Sequence, residues 1–317
     1  DAGLAVLSSL GDLATIRRVM NAGAHDFATL PLGDDEIREA TLRAYDAVNS
    51  SNDGDESAKS ATGTVLSVVG PRGGVGKTAV ASNLAVALSS ETGTSVALVD
   101  LDLLFGSAAV ALGVMPAATI QDWMHMRASG HTEPVGRYLS NHRDGLKLFA
   151  APLEPDTELN FGAQDVADIV SDLSSTHEFV VIDTPPSFTE VTAAAIEVAS
   201  ATLLMTTGDI ASLRAVRHVV QTLRTWGIED EKLRLVRNSP VPFRGASDEE
   251  MREAIGLEVA WSLPHDRDVF KTTDLGVSVV ESNSRSPFAR QVTDMAHFFG
   301  RVKRPESQQR RRLLGVF

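Results

Sequence analysis

The sequence predicts an α/β fold in which a mostly parallel sheet is flanked by helices. Three observations carry that expectation. Seven apolar, β-rich runs recur along the chain: TVLSVVG, SVALVD, LKLFAA, FVVID, ATLLMTT, KLRLVRN and EVAWSLP. Helical patterns or longer connections separate them, and strands apolar on both faces are those covered by helices on both sides. The length of 317 residues, with 43% hydrophobic content, supports one large α/β domain and an appendage. In such sheets ligands bind at the carboxyl ends of the strands. Three of the runs end there in polar residues, namely Asp100, Asp183 and Asn238.

The elements follow in order. Residues 4–10, LAVLSSL, read as a short buried strand. Residues 12–24 read as a helix: Asp12 caps it, Leu13, Ile16, Val19 and Met20 share a face, and Gly23 stops it. HDFATLP is a second strand, ended by Pro31, and DDEIREATLRAYDAV is a second helix with acids in its first turn. Residues 1–48 therefore form one α/β segment. Residues 49–62 are polar, small and without periodicity, and read as a linker. The seven runs then fill a domain over 63–300, and 301–317 form a basic tail. The chain starts at Asp1 and passes at once into an apolar run, so it reads as part of a longer one.

Composition narrows the chemistry. The chain has no cysteine, which removes disulfides, thiolate metal sites and cysteine nucleophiles, and fits a reducing interior. The net charge of −13 repels nucleic acid unless a local patch overrides it. No apolar run approaches the ~20 residues of a membrane span. The eight histidines show no metal-ligand spacing. Trp226 and Trp261 sit in apolar patterns and are expected in the core.

The strand run TVLSVVG, the turn GPRGGVGK and the helical run TAVASNLAVALSS form the context of a phosphate-binding loop. Gly73, Gly74 and Gly76 let the backbone wrap an anion, with Val75 between them. A helix beginning near Lys77 adds its positive end. Lys77 supplies a charge to the β- and γ-phosphates, and Thr78 supplies a hydroxyl for Mg²⁺. Ala79 follows in the first turn. The strict pattern of such loops has a glycine where Pro71 stands. Mg²⁺ also needs nearby carboxylates. Asp183 ends one apolar strand, and Asp100 and Asp102 end another. Strand alternation points the last two to the same side if the strand continues that far. One acid of the set orients metal-bound water and another the attacking water.

These residues resemble the deviant Walker A ATPases of the MinD/ParA class, whose loop reads K-G-G-x-G-K-[ST] and does not require the glycine at Pro71. The stretches DLDLLFGSAAVALGV, FVVIDTPPS and LVRNSP look like the CpaE/TadZ branch, the pilus-assembly ATPases of the Flp/Tad system. Residues 4–48 are similar to the last two β–α units of a response-regulator receiver. The resemblance implies a P-loop NTPase fold preceded by a partial receiver-like segment, with ATP or ADP and Mg²⁺ as cofactors. It implies phosphate and Mg²⁺ binding by Gly73, Gly74, Val75, Gly76, Lys77, Thr78 and Ala79. It also implies a water-activating Asp102, a metal-proximal Asp100, a Walker B Asp183 and an adenine-reading Asn238. Pro264 and Asp266, in LPHDRDV, match the loop that closes over the base, where His265 also lies. Arg72 stands at the signature lysine, which reaches the nucleotide of the opposite subunit in an ATP-sandwiched homodimer. Arginine keeps the charge but is planar and longer. It is an in-trans arginine finger, a residue that allows dimerisation with slow hydrolysis, or a loop residue facing solvent. Leu30 occupies the lysine position of a phosphorylatable receiver, so a docking role is expected of residues 1–48 and no phosphorylation switch.

The partners implied are pilus-assembly or polar and membrane proteins, with a cytoplasmic location that is peripheral at a membrane or cell pole. A septum-site MinD-like ATPase, a nucleotide-dependent scaffold that does not hydrolyse, and a DNA-partition ATPase are the alternatives. DNA is disfavoured by the acidic balance. In SLRAVRHVVQTLRTW, Leu213, Val216, Val220 and Leu223 form a core face, and Arg214, Arg217, Gln221 and Arg224 a solvated or partner-facing one. The tail RVKRPESQQRRRLLGVF is either disordered or a weak membrane contact.

Overall fold

In the computed structural model, the described residues are 5–8, 26–29, 63–143, 145–154, 160–242 and 245–300. The chain divides into two units, residues 1–60 and 61–317. In the first, β1 (Ala5–Ser8) pairs in parallel with β2 (Asp26–Thr29), with Ala5 opposite Asp26. The helices expected over 12–24 and within the rest of 1–48, the linker over 49–62 and the tail over 301–317 lie outside the described residues.

In the second unit each apolar run becomes a strand. These are β3 (Thr64–Val69), β4 (Val96–Asp100), β6 (Leu146–Phe149), β7 (Phe179–Asp183), β8 (Ala201–Thr206), β9 (Leu233–Asn238) and β10 (Val259–Leu263). They pair in parallel in the order β10-β9-β8-β3-β7-β4-β6. A two-residue strand, β5 (Ser140–Asn141), adds an antiparallel edge to β6. It is too short to leave a pattern in the sequence. The α/β expectation holds: an eight-stranded, mostly parallel sheet flanked by helices.

Helices cover both faces. On one, α1 (Lys77–Thr92) packs with α10 (Pro287–Gly300) over Leu66, Val68, Leu98, Val181 and Leu203. Helix α1 is buried nearly all round, so its sequence shows no polar stripe. Between them in the chain lie α2 (Ala108–Ala111), α3 (Ile120–Ala128), α4 (Ala163–Thr176), α5 (Glu190–Val198), α6 (Ile210–Thr225), α7 (Asp248–Ile255), α8 (Arg267–Asp274) and α9 (Val279–Ser282). On the other face α3, α4 and α5 bury Ala97, Val99, Val180 and Ile182. There Thr119 and Asp122 close a capping box that starts α3 beside the sheet. Helices α6 and α7 close the region over β8 and β9, through Val216, Val220, Leu223 and Met251. Each large aliphatic side chain buried this way contributes about 1.5–3 kcal/mol.

One core expectation fails. Trp226 lies at the C-terminal cap of α6, 36% exposed, and stacks on Phe188 at a centroid distance of 5.6 Å. The core face of α6 ends one turn earlier, and the indole covers the rim. Trp261 is half-buried against Phe298 and Phe299.

Candidate functional site

The site forms where β3 ends and α1 begins. Gly74 and Gly76 take positive φ, 77° and 89°, which favours glycine. At Gly76 a Cβ would also lie 2.2 Å from Asn238 Nδ2, so glycine is required twice over. Gly76 is the N-cap of α1 and gives it no side-chain cap. The first-turn N–H groups of a 16-residue helix are therefore left to an anion or water.

Lys77 opens the helix with only 8% of its surface exposed. Burial pulls its ammonium pKa down, while Asp183 and Asp102 pull it back up. The hydroxyl of Thr78 donates to Asp183 Oδ2 at 2.5 Å. Among the described residues, the other oxygen of Asp183, Oδ1, is buried without a hydrogen-bond partner. Asp100 is its register partner on the neighbouring strand. Burial, then the charge of Asp100, holds the Asp183 carboxyl well above the usual range. Burial also pushes Asp100 up, to about 6. Two buried acids beside an unpartnered oxygen and a hydroxyl form a hard-oxygen donor set. Mg²⁺ fits it, because the ion keeps several waters and needs few carboxylates.

Strand β4 stops at Asp100, so Asp102 is not on the strand, and alternation does not place the two acids on one side. Asp100 Oδ1 accepts from the N–H of Asp102 at 3.2 Å, which turns the chain. Asp100 Oδ2 accepts from the N–H of Ala108 at 3.0 Å. Both Asp100 oxygens are thus engaged by the backbone. Asp102 is half-buried on the turn, and its Oδ1 accepts from the N–H of Phe105 at 3.2 Å.

The remaining expected residues are spread around the loop. Gly73 is exposed, and a Cβ there would meet only Pro186, at 4.0 Å. Val75 is a core residue, and its carbonyl accepts from Asn238 Nδ2 at 2.8 Å. Asn238 therefore ties the end of β9 to the phosphate loop. Ala79 holds α1 through its carbonyl, which accepts from Asn83 Nδ2 at 2.8 Å. Pro264 and His265 line a cavity of about 850 Å³ with Ser239, Val241, Pro242 and Arg237. Asp266 instead caps α8: its carboxylate accepts from the N–H groups of Asp268 and Phe288 at 3.0 and 3.4 Å. Arg72 is half-exposed and pairs with Asp209 at 2.9 Å.

Two residues were missed. Thr184 is buried and donates to the carbonyl of Val68 at 2.8 Å, stitching the ends of β7 and β3 together. Its place directly after Asp183 was the available signal. Asp209 precedes the stretch SLRAVRHVVQTLRTW, and no local pattern shows that it meets Arg72.

Comparisons with known proteins give the family and the fold. A family model described as ParA, NUBPL iron-transfer P-loop NTPase, matches residues 61–299. The septum site-determining protein MinD of Thermotoga maritima is 26% identical over 230 residues, covering 70% of this chain and 83% of that one. An iron-sulfur cluster carrier protein of Aquifex aeolicus is 28% identical over 261 residues, covering 75% and 67%. The septum site-determining protein MinD of Pyrococcus horikoshii, solved with Mg-ADP, shares the fold at a TM-score of 0.65 and 21% identity, covering 74% and 95%. With a glycine-rich loop at the end of β3, an acid at the end of β7 and a family match over residues 61–299, the chain belongs to the ParA/MinD family of P-loop NTPases.

Proposed function

We propose that the chain is an Mg²⁺-dependent ATPase that acts as a dimeric positioning factor, and that pilus machinery of the Flp/Tad type is what it positions. The observation that carries the nucleotide reading is the buried, unpartnered Oδ1 of Asp183 beside Thr78 and Lys77. An unpaired buried acid is costly unless a cation completes it. The pilus assignment rests on the sequence resemblance alone. A septum-site role is equally supported, by the MinD relative. An iron-sulfur carrier role is disfavoured for this stretch, because its 317 residues contain no cysteine to supply a cluster thiolate.

In this reading the loop amides, the N-terminus of α1 and Lys77 hold the β- and γ-phosphates. Thr78 and Asp183 hold Mg²⁺, with Asp100 fixing the turn behind them. The metal, when bound, neutralises charge on the phosphate oxygens. Asp102 orients the attacking water from its turn, and Arg72 brings a second cation to the phosphates of the opposite subunit. The base occupies the cavity lined by Pro264 and His265, next to Asn238. Exposed apolar side chains follow Asp102: Phe105 at 78%, Val110 at 65% and Met115 at 88%. The backbone of Gly276 packs on Gly113 and brings Leu275, 76% exposed, alongside. An apolar patch beside the site suits a second copy or a protein partner.

Sizing the protein with ATP and with ADP, while phosphate release is measured, tests this reading. The expected result is a dimer with ATP, a monomer with ADP, and turnover. Asp102→Ala is expected to bind ATP, remain dimeric and lose turnover. Turnover of that variant at the parent's rate would remove Asp102 from its role.

A further inference from the structure

The residues between β7 and α5, TPPSFT, follow directly on Asp183. Both ends of this short segment are pinned. At its start, the hydroxyl of Thr184 donates to the carbonyl of Val68 at 2.8 Å. Near its end, the carbonyl of Ser187 accepts from the hydroxyl of Thr192, on α5, at 2.8 Å. Phe188 packs against the cluster that contains Val216, Val220 and Leu223 of α6. Its ring also stacks on Trp226, with centroids 5.6 Å apart and planes at 27°. Trp226 is itself fixed, because it caps the C-terminus of the 16-residue α6 and its N–H donates to the carbonyls of Thr222 and Leu223. Between the pins lie Pro185 and Pro186, whose rings fix φ and leave the segment few soft dihedrals. Pro186 is exposed and lies beside the phosphate loop, where a Cβ on Gly73 would meet it at 4.0 Å.

We propose that Trp226 is a positioning residue for the site: its stack on Phe188 holds residues 184–189 so that Pro186 stays against Gly73. The proposal rests on the reading of the loop as a phosphate site. Asp183 belongs to β7, and Lys77 and Thr78 belong to α1, so all three keep their places without the stack. Binding of the phosphates therefore loses little when the ring is removed. The outer wall of the loop is different. Pro186 has no N–H to tie it down and is placed only by its neighbours in the segment. A wall that shifts blurs the alignment on which hydrolysis depends, and small misplacements are costly in rate. The indole is 36% exposed and covers Phe188 at the rim instead of filling the core. The sequence shows a tryptophan at a helix end and a phenylalanine after two prolines, and only the fold joins them.

The test is a double-mutant cycle on the full chain, read as phosphate release and, by titration calorimetry, as the dissociation constant for ATP with Mg²⁺. Trp226→Leu keeps apolar bulk and removes the ring. It is expected to lower kcat about three- to tenfold and to move the dissociation constant by less than about twofold. Phe188→Leu is expected to do the same, and the two together no more than either alone. Trp226→Phe keeps a stacked ring and is expected to keep about half of the parent's kcat or more. An unchanged kcat in Trp226→Leu would overturn the proposal. Losses that multiply in the double variant would overturn it too, as would a dissociation constant that rises in step with the fall in kcat. Absence of ATP binding or of turnover in the parent would overturn the ATPase reading itself, and this inference with it. Should Trp226→Leu fold poorly by circular dichroism, Trp226→Met supplies the variant without a ring for the cycle.

Discussion

The inner wall and the outer rim of the phosphate loop carry charge in opposite ways. Inside, Lys77, Asp183 and Asp100 are all less than 9% exposed, and one Asp183 oxygen has no partner. Burial dominates there, pulling the lysine down and both acids up. On the rim, Arg72 and Asp209 keep 45% and 38% of their side-chain surface exposed and pair with each other. Hydrogen bonding from Thr207 is the main cause that holds the Asp209 carboxyl below the usual range. Inside, among the described residues, one oxygen of Asp183 is left without a partner while its other oxygen and both oxygens of Asp100 are engaged, whereas on the rim Arg72 and Asp209 hold each other. Similar residue types, placed around one loop, differ because water reaches one set and not the other.

The largest effect tests the inside. Lys77→Ala removes a desolvated cation that faces two carboxylates, and ATP affinity is expected to fall at least about a hundredfold. Equilibrium titration with ATP and Mg²⁺ checks it, and a loss under fivefold would make the inner wall no different from the rim.

The next effect tests the loop backbone. Gly76→Ala places a side chain at φ 89° and drives a Cβ into Asn238. The expected loss is about 2–4 kcal/mol, from left-handed strain and the broken bond to Val75. In thermal unfolding that is a fall of about 5–10 °C in Tm. Adding Asn238→Ala relieves the clash and is expected to recover part of it. No recovery would place the cost in the backbone alone.

A pH profile sharpens the contrast further. The Asp100 carboxyl titrates at about 6 in the folded chain against an ordinary value of 3.8. The folded state then binds the proton more tightly than the unfolded one. Its contribution is fully present below pH 3.8 and is lost as pH rises through 6. Unfolding of Asp100→Asn and of the parent, without nucleotide or metal, should show the difference moving in favour of the variant between about pH 4 and 6. A flat difference throughout would mean that Asp100 is not held at its raised value.

Much of this fold was legible in the sequence, and for a local reason. Every one of the seven apolar runs is a strand, because a strand covered on both faces leaves a continuous apolar stretch in the chain itself. The missed strand, β5, has two residues and an edge position, so it leaves no stretch to see. Trp226 misled because an apolar neighbourhood in sequence does not say on which side of the last helical turn a ring falls. The turn at Asp102 was hidden because a strand ends wherever a side chain takes the next N–H, and Asp100 takes it.

The sequence alone determined the parts whose chemistry lies within a few consecutive residues. The glycines of the loop, Lys77 and Thr78 next to each other, and an acid closing an apolar strand are all local statements. Only the tertiary structure decided the relations between distant parts. Asn238 reaches Val75 across 163 positions, Asp183 meets Thr78 across 105, and Arg72 meets Asp209 across 137. The strand order β9-β8-β3-β7-β4 brings those carboxyl ends to one end of the sheet. Burial at that end, which no single stretch of sequence encodes, decides which charges stay paired with the chain and which are left for a ligand.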